Sequence, residues 1–285
     1  MNNTIYSDQA KNQIRFSQIK KIDGEVKFGG FGVKYVASGE ETYIANNKKY
    51  LVKQGEYIIG NDFTSSIVQI DQPETVQGLC IDVAPSIITE VAQFHDKNGT
   101  DLTEFLLSDQ FFVNKYKSKN TTLGYTLSEI NRKIINGTIT NELQRDELFY
   151  SIAESIIIDQ RFVFEHLNKL EFKKEITNEE ILRSLLLAKD YMDENILANP
   201  DLEQICSMAG ISKYHFIRLF KNTFGVSPYQ YLKKKRLLAC SLAIASGLTI
   251  IEVSFQFGFA SPQSFTKAFK LEFGHSPGKL LKKQF

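Results

Sequence analysis

Residues 212–228 read Ser-Lys-Tyr-His-Phe-Ile-Arg-Leu-Phe-Lys-Asn-Thr-Phe-Gly-Val-Ser-Pro. The apolar side chains follow steps of three, one and four, which is the spacing of one face of an amphipathic helix: Phe216, Leu219, Phe220 and Phe224. Ser212 is a good N-cap residue, and Gly225 suits a helix end because glycine adopts positive φ freely. The stretch therefore predicts one helix with a buried aromatic face.

A second, shorter helix is predicted just upstream, over residues 202–209, and Gly210 allows a sharp turn between the two. The downstream helix also has a polar and basic face, which includes Lys213, Arg218 and Lys221. A short helix, a glycine turn and a basic helix form the pattern of a DNA-binding helix-turn-helix.

This pattern occurs twice in the chain. Ile205 and Gly210 recur 48 positions later as Val253 and Gly258. The helix residues recur 49 positions later, as Ser261, Phe265, Phe269, Lys270, Phe273, Gly274, Ser276 and Pro277. The extra residue falls in the turn, where an insertion disturbs the fold least. The repeat predicts two helix-turn-helix units in tandem, at about 201–224 and 250–273.

The repeated motifs resemble the DNA-binding domain of AraC/XylS-type bacterial transcription regulators. The resemblance rests on Gly-Ile-Ser…Phe-Lys…Gly-Val-Ser-Pro, then Arg236, then Gly-Phe-Ala-Ser…Phe-Lys…Phe-Gly-His-Ser-Pro. It covers roughly the last hundred residues. Where the family has alanine, this chain has Cys206 and Ser254, which are also small. The resemblance implies a sequence-specific regulator that binds double-stranded DNA.

Composition agrees with a DNA-binding module joined to a different domain. Residues 181–285 contain 14 Lys and Arg against 7 Asp and Glu, whereas residues 1–180 contain 20 against 26. A basic segment attached to an acidic one is typical of that arrangement. The three cysteines lie far apart, without the spacing of metal ligands or of a disulfide framework. With no apolar run long enough to span a membrane and no secretion signal, we expect a cytoplasmic protein.

The N-terminal part is predicted to form short strands, with turn residues at regular intervals, from residue 14 to about 85. This predicts a sandwich or small barrel. Residues 35–59 are similar to the cupin-like sensor domain of many AraC/XylS-type regulators. Helices follow over about 86–170, and in the resembling family such helices form a dimer. The predicted fold is thus α+β and multidomain: a cupin-like barrel with a helical dimerisation segment (1–170), a charged linker (171–180), and an all-α domain with two helix-turn-helix units (181–285).

A small molecule held inside the barrel is one hypothesis for the N-terminal domain. Its candidate ligand-binding residues are aromatic: Phe28, Phe31, Tyr35, Tyr43 and Tyr57. The alternative is that these side chains simply fill the barrel, as in other small barrels. A metal-dependent cupin enzyme would need histidines on the strands, but the four histidines lie elsewhere: His95, His166, His215 and His275. We therefore expect no catalytic residue, no metal and no cofactor.

The DNA contacts are assigned from helix geometry together with the matching family positions. In the first unit, Arg218 is the candidate for bidentate contact to guanine, and Lys221 for phosphate. In the second, Gln263 suits adenine and Lys267 guanine or phosphate. The full candidate set is Lys213, Tyr214, Ile217, Arg218, Lys221, Gln263, Ser264, Thr266, Lys267 and Lys270.

The segment between the two units is predicted to be a helix from Ser227 and Pro228 to about Ser246. At about 1.5 Å per residue it spans about 28 Å, which is close to one duplex turn of about 34 Å. It can therefore hold two helices in successive major grooves. The sequence predicts a homodimeric regulator controlled by a small-molecule effector. Activation is the commoner behaviour of the family, and RNA polymerase is a further partner that the resemblance implies. The alternatives are a barrel without ligand, which serves dimerisation or partner binding, and less favoured, a cupin-type enzyme.

Overall fold

The computed structural model describes residues 2–95, 100–137, 143–170, 175–198 and 200–281. The chain divides into two units, Met1–Glu165 and His166–Phe285. The first combines a sheet with helices, and the second consists of helices. The predicted order of a β-rich part followed by a helical part is confirmed.

The sheet of the first unit has eight strands, all paired antiparallel. The sequence predicts strands from residue 14 to about 85, so the strands at Asn2–Ser7 and Lys115–Lys117 lie outside that prediction. The strands are β1 (Asn2–Ser7), β2 (Gln13–Glu25), β3 (Phe31–Ser38), β4 (Glu40–Ala45), β5 (Lys48–Lys53), β6 (Glu56–Asn61), β7 (Ser66–Val83) and β8 (Lys115–Lys117).

Strand β7 pairs with β2 along its length and also with both β3 and β4. Its second half pairs with β3, from Phe31↔Val83 onward, whereas its first half pairs with β4, from Ala45↔Ser66 onward. The pairing of β2 with β7 jumps from Ile19↔Val76 to Lys21↔Asp71, so the long ribbon changes register where the two halves meet. Such a shift bends the strand and increases its twist.

The strand order is β1-β2-β7-β3-β6-β8, with β4 and β5 branching from β7. Among the described residues, β1, β5 and β8 each have one strand neighbour, so the sheet is open and a closed barrel is not confirmed. The physical reason is the branch: β3 pairs with the second half of β7 and β4 with its first half, and among the strands described no pairing joins β1, β5 and β8.

The central strands β3 and β6 are buried on both faces, from Phe31 to Val36 and along all of β6. On one face, the ring of Phe28 packs directly over Gly32 and Gly60. A Cβ atom at either position would lie 2.7 or 2.9 Å from atoms of Phe28. Glycine is therefore needed at both positions so that the aromatic ring can approach the backbone.

The described residues of the first unit also form the short 3₁₀ helix Ser118–Asn120 and four α-helices: α1 (Pro85–His95), α2 (Thr100–Leu107), α3 (Thr122–Ile135) and α4 (Leu143–Asn168), whose last residues enter the second unit. Helices α3 and α4 are joined by polar contacts. The Asp159 carboxylate of α4 accepts hydrogen bonds from the backbone N–H groups of Thr122 (3.0 Å) and Leu123 (2.8 Å). These N–H groups have no partner within the helix, so Asp159 caps α3 from another element.

The second unit begins with the end of α4 and continues with seven further helices: α5 (Glu175–Glu194), α6 (Leu202–Ala209), α7 (Lys213–Phe224), α8 (Pro228–Ala245), α9 (Ile250–Gln256), α10 (Pro262–Phe273) and α11 (Gly278–Leu281). The predicted ends are confirmed at several points. Asp201 and Ser227 cap α6 and α8 with capping boxes, and Pro228 opens α8. Gly210 and Gly225 are left-handed at φ 64 and 76.

The predicted linker needs a correction. Residues 175–180 belong to α5 rather than to an extended segment, and residues 171–174 lie outside the described part of the chain. Charged residues were interpreted as a linker, but they also suit a solvated helix face. In α5 itself, Arg183 and Glu179 form an ion pair one turn apart, with Nη2 to Oε2 at 3.2 Å. The domain limits 1–170 and 181–285 remain predictions.

Within the described residues, no helix combines the length and the apolar character that crossing a membrane requires.

We predict that Asp159→Ala lowers the free energy of unfolding of the first unit by about 1–2 kcal/mol, because two N–H groups of α3 lose their acceptor. Urea unfolding followed by circular dichroism measures the change. Glu129→Ala is the matched control, since it removes a carboxylate of α3 that pairs with the exposed Arg132 of the same helix and should change stability by less than about 0.5 kcal/mol. Equal losses for the two variants would contradict the capping role.

Candidate functional site

Helix α7 divides into a buried face and an exposed face. The buried face holds Phe216, Leu219, Phe220 and Thr223. The opposite side presents Tyr214, whose side chain is 75% exposed, and Ile217, which is 36% exposed. Lys213, Arg218 and Lys221 are exposed as well. The five candidate DNA contacts of the first predicted helix-turn-helix therefore share one solvent-facing side of α7.

The start of α7 differs from the expectation. Ser212 occupies the N-cap position, but its side chain makes no capping hydrogen bond. Its Oγ instead lies 3.3 Å from Nδ1 of His215. The imidazole at the third helical position competes with the backbone N–H groups for the hydroxyl, which residue type alone does not reveal. The nearby Lys213 ammonium lies 3.7 Å from the carboxylate of Glu203.

Helix α10 repeats the arrangement with different side chains. Phe265 and Phe269 are buried, while Gln263, Lys267 and Lys270 are exposed. The other two candidate contacts of this helix are more restricted. The hydroxyl of Ser264 belongs to the capping box, because it accepts from the Ser261 N–H at 3.1 Å and donates to the Ser261 carbonyl at 2.8 Å. Thr266 is half-buried.

The aromatic cores under the two helices have matching geometry. The ring centroids of Phe216 and Phe220 are 5.5 Å apart, and those of Phe220 and Phe224 are 4.5 Å apart. The corresponding distances under α10 are also 5.5 and 4.5 Å, for Phe265 to Phe269 and Phe269 to Phe273. Each helix ends at a left-handed glycine. The sequence repeat is thus a structural repeat.

The basic residues at positions 233–236 of α8 have different surroundings. Lys235 forms an ion pair with Asp193 of α5, with Nζ to Oδ1 at 3.2 Å. The same carboxylate accepts a hydrogen bond from the Tyr231 hydroxyl at 2.8 Å and pairs with Lys189 at 3.3 Å. Burial raises the pKa of Tyr231, as does the Asp193 charge beside it. This network, which sequence reasoning missed, ties α5 to α8, while Lys234 faces solvent.

All five aromatic candidates of the N-terminal unit are buried, and four of them contact a neighbouring residue. Phe31 meets Phe111 edge-on at 5.1 Å, and the Tyr57 hydroxyl donates to Thr121 Oγ1 at 2.9 Å. Tyr35 lies opposite Tyr57 in the β3–β6 pairing. Phe28 covers the two glycines described above, and Tyr43 donates to a carboxylate.

The face of the sheet that holds Phe28 also holds charged side chains. Lys34 is 1% exposed, and its ammonium lies 3.6 Å from Asp82 and 5.2 Å from the centre of the Phe28 ring. Arg15 pairs with the other oxygen of Asp82 at 2.5 Å. Strand patterns without neighbour assignments do not show such a cluster, because Arg15, Lys34 and Asp82 come from three strands.

The carboxyl group of Glu41 lies on the same buried surface. It is 6% exposed and accepts a hydrogen bond from the Tyr43 hydroxyl at 2.6 Å. Burial raises its pKa above the usual value of 4.5, although the hydrogen bond from Tyr43 and the positive charge of Lys34 act in the opposite direction. Burial also raises the pKa of Tyr43.

Comparison with known proteins identifies the helical unit. A family model described as "Helix-turn-helix domain" matches residues 205–283. The chain is 22% identical over 229 residues to the uncharacterized HTH-type transcriptional regulator YbfI of Bacillus subtilis, covering 80% of this chain and 76% of that protein. It is 30% identical over 111 residues to the transposon Tn10 TetD protein of Escherichia coli, covering 38% of this chain and 78% of that protein.

Other matches cover different shares of the chain. The right origin-binding protein of Escherichia coli is 31% identical over 99 residues, so the match spans 34% of this chain and only 33% of that protein. An AraC-type regulator structure from Chromobacterium violaceum covers 36% of this chain and 92% of its own, with 23% identity and a TM-score of 0.35. ToxT from Vibrio cholerae covers 95% of this chain and 98% of its own, with 17% identity and a TM-score of 0.38.

We predict that Glu41→Gln stabilises the protein at pH 8 and that the gain shrinks towards pH 4.5. Because burial raises the pKa of Glu41, the folded chain binds more protons than the unfolded chain between the two pKa values, and stability falls as pH rises through that range. Glutamine is neutral throughout and still accepts the Tyr43 hydrogen bond. Urea unfolding of both proteins at the two pH values measures the difference, and parallel pH profiles would refute the prediction.

Proposed function

The chain belongs to the AraC family of DNA-binding transcription regulators, and from this premise we propose that it recognises a specific bipartite DNA sequence through two helix-turn-helix units, 201–224 and 250–273. The observation that carries the proposal is the repeated geometry of α7 and α10. Two helices with the same aromatic ring spacing each present an exposed row of polar and basic side chains. A duplex offers two equivalent major grooves to such a pair.

Helix α8 sets the separation of the two units. Its 18 residues correspond to about 27 Å at 1.5 Å per residue, near the length of one duplex turn. Its hydrogen-bonded caps at Ser227 and the network around Asp193 hold it in place. A rigid spacer of this length favours two contacts on one side of the duplex.

Arg218 is the proposed reader of guanine in the first groove. It is exposed, and it forms no ion pair in the described part of the chain, so its five N–H donors are available for a base edge and a phosphate. Tyr214 and Ile217 lie beside it and suit thymine methyl groups. Gln263 reads adenine in the second groove, with Lys267 on guanine or phosphate. Lys213, Lys221 and Lys270 neutralise phosphates, and Ser264 and Thr266 flank these contacts.

The N-terminal unit is the proposed regulatory part, a cupin-like sensor with an effector in its interior. Support for a ligand comes from the charged cluster of Lys34, Arg15 and Asp82, which is unusual inside a sheet that only fills space. Phe28 and Tyr43 contact Lys34 and Glu41 on this surface, and Phe31, Tyr35 and Tyr57 complete the proposed set of ligand-binding residues.

An alternative without ligand is favoured by one specific observation. All five aromatic side chains are buried, and those of Phe28, Phe31, Tyr43 and Tyr57 already contact a neighbour in the fold. The unit would then serve dimerisation or partner binding. Exposed apolar side chains on α3 and α4 support a homodimer: Tyr125 at 70%, Ile158 at 46% and Phe162 at 37%. The protein acts in the cytoplasm, where its DNA lies, as an activator that engages RNA polymerase.

Selection of binding sites from a random DNA pool with the full-length protein tests the proposal. We expect a bipartite motif whose half-centres lie about ten base pairs apart, because successive major grooves recur at that distance. A dimer would give two such motifs in one site. Uniform, salt-sensitive binding without enrichment of any sequence would refute specific recognition while leaving non-specific DNA binding intact.

The Arg218→Ala variant tests the assigned base contact on the selected sequence. We expect affinity to fall by about 1–3 kcal/mol and selectivity to relax at one base position. Lys221→Ala should instead weaken binding to all sequences alike and reduce the salt slope by about one. Arg132→Ala, which removes an exposed arginine of the first unit, controls for the change of net charge and should leave affinity within about twofold. Loss of affinity without change of selectivity in Arg218→Ala would remove Arg218 from the readers.

A further inference from the structure

A cavity of about 770 Å³ lies in the helical unit, bordered by residues of both helix pairs and of α8. Its size is within the range of small-molecule sites, about 300–1,000 Å³. Most of its wall is apolar: Leu202 and Ile205 come from α6, Leu232 from α8, and Phe259 from the turn before α10. Neither the family match nor the proposed DNA contacts assign a ligand to this space.

The charge of the wall is positive. Lys233 and Arg236, one turn apart on α8, both border the cavity. Lys233 is half-buried and forms no ion pair within the described ranges, in contrast to Lys235, which Asp193 neutralises. The one carboxylate at the border, Asp201, is exposed and accepts the capping hydrogen bond from the Gln204 N–H at 2.8 Å. Water therefore screens its charge more than that of Lys233.

We propose that this cavity binds an amphipathic organic anion. The apolar body of the ligand packs on Leu202, Ile205 and Phe259, and its carboxylate or sulfonate group faces Lys233, with Arg236 adding to the positive potential. Apolar walls with a few charged groups are the usual composition of a small-molecule site. A bare inorganic anion would leave these walls without a partner, and a neutral apolar ligand would leave the Lys233 charge uncompensated.

Occupancy has a direct consequence for DNA binding, which rests on the proposed function. Ile217, one of the proposed base contacts, also borders the cavity. A ligand in the cavity and a duplex against α7 would compete for the same side chain. The protein then has a route of inhibition within its helical unit that is independent of any effector inside the sheet.

The chain offers a selective reporter for this site. It contains no tryptophan, and Tyr229, whose side chain is 76% exposed, borders the cavity. Full-length Tyr229→Trp therefore carries a single tryptophan beside the space to be tested. The probe is 8-anilinonaphthalene-1-sulfonate, an aromatic sulfonate, and its uncharged analogue is N-phenyl-1-naphthylamine.

We expect saturable quenching of the tryptophan emission by the sulfonate probe. Adding Lys233→Gln should weaken binding about fivefold or more, the effect of losing one partly buried ion pair. Lys234→Gln is the matched control, because Lys234 is the next residue, is exposed and does not border the cavity, so it should change affinity less than about twofold. The uncharged analogue should not respond to Lys233→Gln.

Three results would overturn the site: no saturable quenching, equal effects of Lys233→Gln and Lys234→Gln, or unchanged binding in Ala268→Phe. The last variant places a large side chain at the cavity border, and thermal unfolding verifies that it folds. Random-sequence duplex DNA should displace the probe from the Tyr229→Trp protein. If probe and DNA bind together, the competition is refuted. If DNA fails to bind in the absence of probe, the proposed function fails while the probe measurements still decide the cavity.

Discussion

The packing of three phenylalanine rings along one side of a short helix is the constraint on which the helical unit depends. In α7 the rings of Phe216, Phe220 and Phe224 form a continuous row of tilted and edge-on contacts, and Phe220 also meets Tyr231 of α8 edge-on at 5.7 Å. Aromatic side chains contribute much of the buried apolar area of a core and fix the rotation of the helix that carries them. Once that rotation is fixed, the residues on the opposite side of the helix, among them Tyr214 and Arg218, must face outward. The exposed side of α7 is therefore a consequence of packing, and its chemistry can vary without cost to the fold.

The same logic explains how much the sequence could predict. Helix ends in the second unit follow from local rules, since capping by Asp201 and Ser227 and left-handed Gly225 depend on neighbours within a few residues. The failure at Ser212 is also local but depends on which of two partners the hydroxyl selects, and His215 prevails over the backbone. The start of α5 was missed because charged residues at 171–180 suit both a linker and a helix surface. Local sequence does not distinguish the two when burial is small.

The arrangement of the sheet depends on pairings between residues that are far apart in the chain. Strand-forming residues between turn signals located most strands, but the branch at β7 requires knowing that its two halves have different partners, β3 and β4. The charged cluster has the same origin: Arg15, Lys34 and Asp82 are 19 to 67 residues apart in the chain and meet only because β2, β3 and β7 are neighbours. Residue type alone predicted aromatic side chains inside the sheet. It could not predict that a lysine would be buried among them, since lysine is almost never fully buried without a partner.

The four consecutive basic residues of helix α8 cannot all face one direction. Lys235 points to Asp193 and fixes α8 to α5, Lys234 faces solvent, and Lys233 and Arg236 border the cavity. A helix rotates by about 100° per residue, so such a run distributes one chemistry over several surfaces. Lys235 therefore serves a structural ion pair, whereas Lys233 faces the proposed ligand. A ligand that attracts Lys233 acts on the same helix that spaces the two helix pairs, and it can alter DNA binding only if it distinguishes the arrangements of that helix. The ion pair of Lys235 resists such movement, which makes direct competition at Ile217 the simpler route of inhibition.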